Sequence, residues 1–410
     1  MVTMATDRRY DVILFGATGF TGRQTVEYFA RHAPAGLRWA IAARSKAKLE
    51  LVRAEAGLGS RTVDIVVADS RDQASIDEMV SGTRVILTTA GPFALYGTPV
   101  VDACVRFGTH YCDITGETPW IREMIDRYHA HASADGTRIV TCCGFDSVPA
   151  DIGTMLVVNA LRDAGTGASE VRAYYRGTAD LNGGTVASIA NVYATAGQAP
   201  DGVRLADPFL LDPPIEHSTR QRAGSRDVET PFADDRIGTW VGPFVMAVTN
   251  TRIVRRSAAL AAERGAPYGN DFVYQEYQRY GEPFAAAKAI GGTAMLGVIA
   301  AMFRTALGRQ LFTALLRPGA GPSKEAMDNG WFRTDLRGTG EDGRVANCTI
   351  PHKGDPTNRA TVRFLCESAL ALATESEALP PGGGVLTPAT ALGDVLVKRL
   401  RAAGVEITMA

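Results

Sequence analysis

The run Gly16-Ala17-Thr18-Gly19-Phe20-Thr21-Gly22 has the spacing of a loop that holds phosphate. It follows a short apolar run at residues 10–15 and opens a stretch with helical spacing at residues 21–33. Glycines at such a strand-to-helix turn let the backbone come close to a pyrophosphate, and the helix start offers free N–H groups and partial positive charge. Three glycines in a GxxGxxG pattern also suit a plain tight turn; the strand before and the helix after favour a dinucleotide. Cofactor choice is written at the end of the second strand, where a carboxylate ~20 residues beyond the glycines binds the ribose 2′-OH of NAD. This chain has Ala42-Ala43-Arg44-Ser45-Lys46 there instead. Arg44 offers a planar cationic fork for a 2′-phosphate, Ser45 a hydroxyl donor and Lys46 a further charge, so the expected cofactor is NADP(H). Asp69, after the third strand, is a candidate neighbour of the adenine and equally an ordinary turn aspartate.

Three further strand ends collect polar and small residues. The fourth runs into Thr88-Thr89-Ala90-Gly91-Pro92-Phe93 and then Tyr96-Gly97. Small residues at Ala90, Gly91 and Pro92, ahead of Phe93, would let the nicotinamide ribose approach the backbone at the switch point of a doubly wound sheet. The fifth ends at Asp113, followed by Thr115-Gly116-Glu117, and the sixth in Cys142-Cys143-Gly144-Phe145-Asp146-Ser147-Val148-Pro149. Taken singly, Asp146, Ser147, Thr115 and Gly116 are as well explained as helix caps. No Tyr-x-x-x-Lys pair of the short-chain dehydrogenase type occurs in this part of the chain.

The elements that must position these residues follow from two alternating periods. Apolar runs at residues 10–15, 38–43, 62–67, 84–88, 110–113 and 138–142 read as strands; helical spacing fills 21–33, 46–56, 73–80, 99–107 and 119–132. Such alternation implies right-handed βαβ units, and strands apolar throughout imply helices on both faces. The expected fold class is α/β: an N-terminal Rossmann-type doubly wound parallel sheet plus a second α+β domain with a mainly antiparallel sheet. Residues 1–150 are assigned to the NADP-binding domain, 151–360 to the α+β substrate domain and 361–410 to C-terminal helices packing back on the body. Within the second region, 150–164 and 187–195 read as helices and 170–177, 239–249 and 331–338 as strands. The irregular stretch 201–236 reads as a loop that could cover a cleft. The tail reads as helices at 361–373 and 388–402, the second opened by Thr387-Pro388.

Composition excludes several classes. The 410 residues hold 43 Lys plus Arg against 44 Asp plus Glu, and a net charge of −1 gives no long-range attraction for a nucleic-acid backbone. With 46% apolar and 21% charged residues, wholesale disorder is excluded. The start, MVTMATDRRYD, lacks the apolar run of a signal peptide, so the expected location is the cytoplasm. The six cysteines read as reduced, mostly buried thiols, and His129 and His131 as surface residues; no metal site is expected. Residues 289–303 (AIGGTAMLGVIAAMF) are uncharged between Lys288 and Arg304. This run is short of the ~20 residues that span a bilayer, so it reads as a buried or subunit-contact helix first and as a lipid- or membrane-facing surface second.

The motifs GATGFTG, AARS, TTAGPF, HYCDITGE and CCGFDSVPAD together resemble the saccharopine dehydrogenase-like reductases, and most closely their trans-acting enoyl reductase branch. The resemblance continues in Gly183-Gly184-Thr185, Asn250-Thr251-Arg252-Ile253-Val254-Arg255-Arg256, Pro318-Gly319-Ala320-Gly321-Pro322-Ser323, Glu367 to Leu372 and Gly384 to Thr390, so it spans nearly the whole chain. It departs at Gly354-Asp355-Pro356-Thr357-Asn358, where relatives tend to have Gly-Tyr after the proline. The resemblance implies an NADPH-dependent reductase of a polyketide or fatty-acyl enoyl thioester in complex-lipid (glycolipid) synthesis, the substrate carrier-protein bound or free. It also implies association with membrane or lipid bodies, peripheral at the plasma membrane; a homodimer is a further expectation. For enoyl reduction the enolate needs hydrogen-bond donors and the α-carbon a proton. Tyr96 and Tyr111 are then candidate proton donors, with Asp146 and Glu117 orienting the ribose or carrying protons; for each tyrosine alone a core ring is the plainer account. Two rival readings are a saccharopine- or opine-type dehydrogenase, for which Arg252, Arg255 and Arg256 would bind carboxylates, and an NADP-binding scaffold on a lipid surface without catalysis.

Overall fold

Short apolar runs separated by helical stretches build a parallel sheet because each strand must be covered on both faces. The computed structural model describes residues 8–57, 63–178, 182–195, 206–315 and 319–410. The order is β1 (Tyr10–Phe15), α1 (Phe20–His32), β2 (Trp39–Ala43), α2 (Lys46–Glu55), β3 (Asp64–Val67), α3 (Gln73–Ser81), β4 (Thr83–Thr88), α4 (Phe93–Tyr96), α5 (Thr98–Phe107), β5 (His110–Cys112), α6 (Thr118–Asp135), β6 (Arg138–Val140) and α7 (Val148–Asp163). Then follow β7 (Ala168–Thr178), α8 (Gly183–Thr195), α9 (Thr219–Gly224), β8 (Phe232–Asp234), β9 (Thr239–Gly242), α10 (Ala247–Glu263), β10 (Val273–Arg279), α11 (Ala285–Arg304), α12 (Ala306–Leu315) and α13 (Lys324–Asn329). The chain closes with β11 (Trp331–Gly340), β12 (Val345–Lys353), a π-helical turn (Pro356–Ala360), α14 (Thr361–Thr374), β13 (Gly384–Leu386), α15 (Pro388–Ala402) and β14 (Thr408–Met409).

The first sheet has the order β13-β6-β5-β4-β1-β2-β3, all parallel. Val12 sits opposite both Trp39 and Val85, so β1 and β4 meet at the switch point. Successive residues feed two cores: Val12, Leu14 and Val85 face α14 and α1, while Ile13, Phe15 and Ile86 face α3 and α5. That is why the strands read as continuously apolar. The seventh strand, β13, comes from the far end of the chain, with Val385 opposite Ile139. Three residues with flanking glycines and prolines gave no period to read, so this strand was not expected.

The second sheet, β14-β12-β11-β7-β10-β9-β8, is mostly antiparallel, with β7 and β10 its parallel pair. Alternate residues of β11, including Phe332, Thr334 and Leu336, point to the buried side. There α7 lies close: a Cβ on Gly153 would come 2.7 Å from Leu336, and one on Gly338 2.2 Å from Val157.

Three expectations need correction. The strand expected at 239–249 ends at Gly242, and residues from Ala247 onward form α10. Its Val and Thr residues favour strands, but burial of Asn250, Arg252, Ile253, Arg256 and Ser257 at helical spacing decides otherwise. The stretch expected as a covering loop contains α9 and β8, and Leu211 and Asp212 within it are buried; residues 201–205 lie outside the described residues. His129 is half-buried, with Nδ1 accepting from Val385 N at 3.2 Å, whereas His131 is exposed. All six cysteines are buried and free.

Candidate active site

The glycines of the first turn do different work. Gly16 has φ +88°, and a Cβ there would lie 2.8 Å from Ala90 N and 2.9 Å from Thr89 Oγ1. Gly22 lets α1 sit on the turn, since its Cβ would fall 2.1 Å from Gly16 O. Gly19 has an ordinary φ of −74°, and its Cβ would meet only Gly16 O, at 3.4 Å. The open side of Gly19 is therefore a cradle that a side chain would fill. No side chain caps α1 and its first turn has no acid, so the positive helix end is left for an anion. Thr18, Phe20 and Thr21 are half-buried around this turn and Ala17 is buried beneath it.

At the end of β2, Arg44 and Lys46 are exposed and Ser45 caps α2, its Oγ accepting from Lys48 N at 3.4 Å. Asp69 is half-buried in the turn after β3, and Oδ1 accepts from Arg71 N at 3.1 Å. On the other side of the switch point, Thr89 binds the end of β1 and the start of the glycine turn, N to Phe15 O at 3.0 Å and Oγ1 to Gly16 O at 3.3 Å. Ala90, Gly91 and Pro92 are half-buried beside it, and the Gly91–Pro92 peptide is cis.

The structure puts the candidate acids and tyrosines in unlike places. Tyr96 is half-buried on α4. Tyr111 is fully buried and donates to Asp113 Oδ2 at 2.8 Å. Asp113 also accepts from Thr115 N at 3.0 Å and Cys142 N at 3.1 Å, tying the fifth strand end to the sixth. Burial pushes this carboxyl up to about 7 despite those bonds. Cys142 itself has φ +60°, a strained value for a side chain with a Cβ. Glu117 accepts from Phe93 N at 2.7 Å, Ala94 N at 3.0 Å and Ser188 Oγ at 2.8 Å, with its pKa raised by burial. It clamps α4 to α8. Asp146 is half-buried after β6, and loss of hydration raises its carboxyl to about 6. Next to it Ser147 Oγ donates to Asn250 Oδ1 at 3.2 Å, Asn250 Nδ2 to Glu276 Oε1 at 2.9 Å, and Tyr274 OH to Glu276 Oε2 at 2.9 Å. Burial raises Glu276 to about 8.

The carboxyl edge of the first sheet thus gathers the glycine turn, Arg44 and Ser45, Asp69, Ala90 to Phe93, Tyr96 and Asp146. Tyr111 and Glu117 belong to its wall. Sequence reasoning missed the parts that arrive from the second half. Gly321 lies against Phe20, where a Cβ would come 2.3 Å from its Cζ, and Gly183 N donates to Ala320 O at 2.9 Å. Asn182 Nδ2 donates to Asn358 Oδ1 at 2.9 Å, joining the start of α8 to the π turn where the family pattern departs. Only the shared motifs pointed there, since no local period marks a contact across 176 positions.

The three arginines of α10 do not form an anion site. Arg252 pairs with Asp227, Arg255 donates to Pro208 O and Tyr274 O at 2.9 Å, and Arg256 donates to Leu211 O at 2.5 Å and Val385 O at 2.7 Å. Burial lowers Arg255 and Arg256 to about 10. They hold residues 207–212 onto α10. A cavity of ≈460 Å³ beside that segment is lined by Arg122, Asp212, His217 and Arg222 among others, and by no residue of the glycine turn. Among the described residues no group of three or more His, Cys, Asp or Glu is placed to hold a metal.

Together with its likeness to known proteins, a parallel sheet with an uncapped glycine turn at its carboxyl edge, backed by a second sheet, marks an NADP-dependent oxidoreductase. Residues 12–140 match the saccharopine dehydrogenase NADP-binding domain. The chain is 36% identical to the trans-acting enoyl reductase of Mycobacterium ulcerans, over 98% of each protein. It is 35% identical to the trans-acting enoyl reductase of Mycobacterium tuberculosis, over 97% of each. It therefore belongs to the saccharopine dehydrogenase-like oxidoreductases, in the trans-acting enoyl reductase branch. The fold is also that of the saccharopine dehydrogenase (L-Glu forming) of Saccharomyces cerevisiae, with TM-score 0.53, 13% identity and coverage of 97% of this chain and 99% of that one.

Proposed function

We propose that this enzyme reduces the α,β-double bond of a polyketide or fatty-acyl thioester in complex-lipid (glycolipid) synthesis, acting in trans. The observation that carries the reading is its likeness to trans-acting enoyl reductases over 97–98% of its length. The use of Arg252, Arg255 and Arg256 inside the core supports it, because an amino acid imine with several carboxylates would need such cations free. NADPH, when bound, supplies the hydride. The turn from Gly16 to Gly22 cradles the pyrophosphate, Arg44 and Ser45 bind the 2′-phosphate, Asp69 borders the adenine, and Ala90, Gly91, Pro92 and Phe93 receive the nicotinamide ribose. Tyr96 gives the α-carbon its proton, and Asp146 carries the replacement proton to the site, its raised carboxyl at about 6 exchanging one close to neutral pH. Tyr111 positions Asp113 rather than meeting substrate.

In this reading residues 1–150 bind the cofactor, 151–360 bind substrate, and 361–410 pack back to complete the body. The thioester is presented by a carrier protein or coenzyme A, the chain works in the cytoplasm with a peripheral hold on the plasma membrane, and it pairs as a homodimer. The test is NADPH consumption with enoyl thioesters of increasing chain length, beside an amino acid plus keto acid pair. Turnover that rises with chain length is expected, since each buried CH₂ contributes roughly 0.8 kcal/mol. Turnover with the amino acid pair alone would move the protein to the opine class.

A further inference from the structure

Helix α11 is 20 residues long and longer than its uncharged run, yet only Ala285, Ala289 and Phe303 are buried along it. Among the described residues it is the one helix long and apolar enough to cross a membrane by length and composition. It is not a core helix: Met295 is 60% and Val298 57% exposed. Helix α12 turns back against it, Phe303 stacking on Phe312 at 4.6 Å, and presents Leu307, Leu311 and Leu315 as an exposed stripe at four-residue spacing. A contiguous apolar face of this kind marks a binding surface.

Charge identifies the occupant. From residue 283 to 324 the sequence has no Asp or Glu, and Lys288, Arg304 and Lys324 there are exposed cations, whereas Arg309 donates to Phe303 O at 2.9 Å and Arg304 O at 3.1 Å; the whole chain has a net charge of −1. In a two-fold pair of copies the same patch meets itself, so these cations would face their own equivalents. Anionic headgroups complement the cations, and acyl chains complement the leucine stripe.

We infer that α11 and α12 form an in-plane docking surface for an anionic bilayer. This rests on the reading above that the chain has a peripheral hold on the membrane, and adds the lipid charge, the residues and the geometry. Spanning is disfavoured by Lys288 inside the helix and by anchorage on one side. Gly292 lies against Tyr280, where a Cβ would come 2.3 Å from its hydroxyl, and Phe303 packs on Val186 and Ala190 of α8. That same α8 carries Ser188, which binds the Glu117 clamp at 2.8 Å. One helix therefore separates the docked face from the loop at the nicotinamide end, a short route for an acyl substrate held in lipid.

The test is sedimentation of the full chain with vesicles of phosphatidylcholine alone or mixed with phosphatidylglycerol. At least tenfold stronger binding to the anionic vesicles is expected, lost in 0.5 M salt, released by an alkaline carbonate wash, and reduced at least tenfold in Leu311→Ser/Leu315→Ser. NADPH affinity of that double variant, unchanged, shows that it is folded; Arg304→Glu gives a second, charge-only variant expected to weaken binding. Equal binding to both vesicle types, no binding, resistance to the carbonate wash, or a role of these leucines only in self-association or in holding an acidic carrier protein would each overturn the proposal. Reduction of a soluble enoyl-coenzyme A by the double variant separates the two readings: turnover without docking leaves the enoyl reductase standing, and docking without turnover in the parent chain leaves the surface standing.

Discussion

Arg44 and Arg252 are the same residue type in two halves of one chain and end in opposite conditions. Arg44 stands exposed at the edge of the parallel sheet, while Arg252 is fully buried in α10 and paired with Asp227. The contrast holds for the two places these residues occupy. At the carboxyl edge of the parallel sheet, helix starts and strand ends leave donors open to a ligand. Within the mixed-sheet half, the buried Arg255 and Arg256 are consumed by backbone carbonyls, and the buried Glu276 by the Asn250 amide and the Tyr274 hydroxyl. A count of arginines therefore says nothing of an anion site until their partners are known.

Substitutions sharpen this comparison from both sides. The largest effect is expected from Arg252→Ala, which strips the partner from Asp227 and leaves Asp207 O without its 3.2 Å donor. Deleting a fully buried side chain costs about 2–5 kcal/mol through the cavity it leaves, with the lost charge-assisted hydrogen bonds adding to it, so the melting temperature should fall sharply in calorimetry while NADPH affinity of the folded fraction is kept. If Arg252→Ala left stability alone and weakened substrate binding, the arginines would be ligands after all. Gly19→Val should do the converse. Its φ of −74° suits any residue, so the fold should hold, while the branched side chain fills the cradle and NADPH binding by fluorescence should weaken about 100-fold or more, or ~2.7 kcal/mol. Normal affinity in a folded Gly19→Val protein would give the turn another job.

Arg44→Ala comes next. Loss of a charge-assisted contact to the 2′-phosphate should cost about 1.5–3 kcal/mol of NADPH binding and leave NADH binding as it was. Equal effects on both cofactors would remove Arg44 from the selector. The smallest effect is in pH. Asp113 is raised to about 7, as is Asp151, buried on α7 and accepting from Ala389 N at 2.7 Å, and Glu276 to about 8, chiefly by burial. The folded state then holds protons that the unfolded chain has lost, so the stability these three groups contribute is fully present below the unfolded carboxyl range and is lost as pH rises from about 4 to 8. Melting temperature should fall over that range, and less so in Glu276→Gln. A flat or rising profile would mean these groups are ionised in the fold.

Much of the parallel half was legible because its signals are local. The turn from Gly16 to Gly22 and the Arg44-Ser45 pair lie where spacing placed them, as do the strand ends carrying Asp69, Ala90 and Asp146. Period failed where an element is short or crowded by polar anchors. The three residues of β13 carry no measurable alternation, and the Val and Thr of α10 suggested a strand until burial of Asn250 and Arg252 made a helix. For residues 289–303, composition showed an apolar run but not which side of it would be covered.

By itself the sequence determined the glycine turn between strand and helix, the absence of a carboxylate after the second strand and the alternation of strands and helices in the first 150 residues, because each is written in residues a few positions apart. Only the tertiary structure decided that Tyr111 and Glu117 are wall rather than surface, that three arginines are spent on a loop, and that α11 lies outside the core. Those outcomes depend on partners such as Cys142 for Asp113, Ser188 for Glu117 and Val385 for Arg256, which chain folding brings together from distant positions and which no spacing in the sequence records.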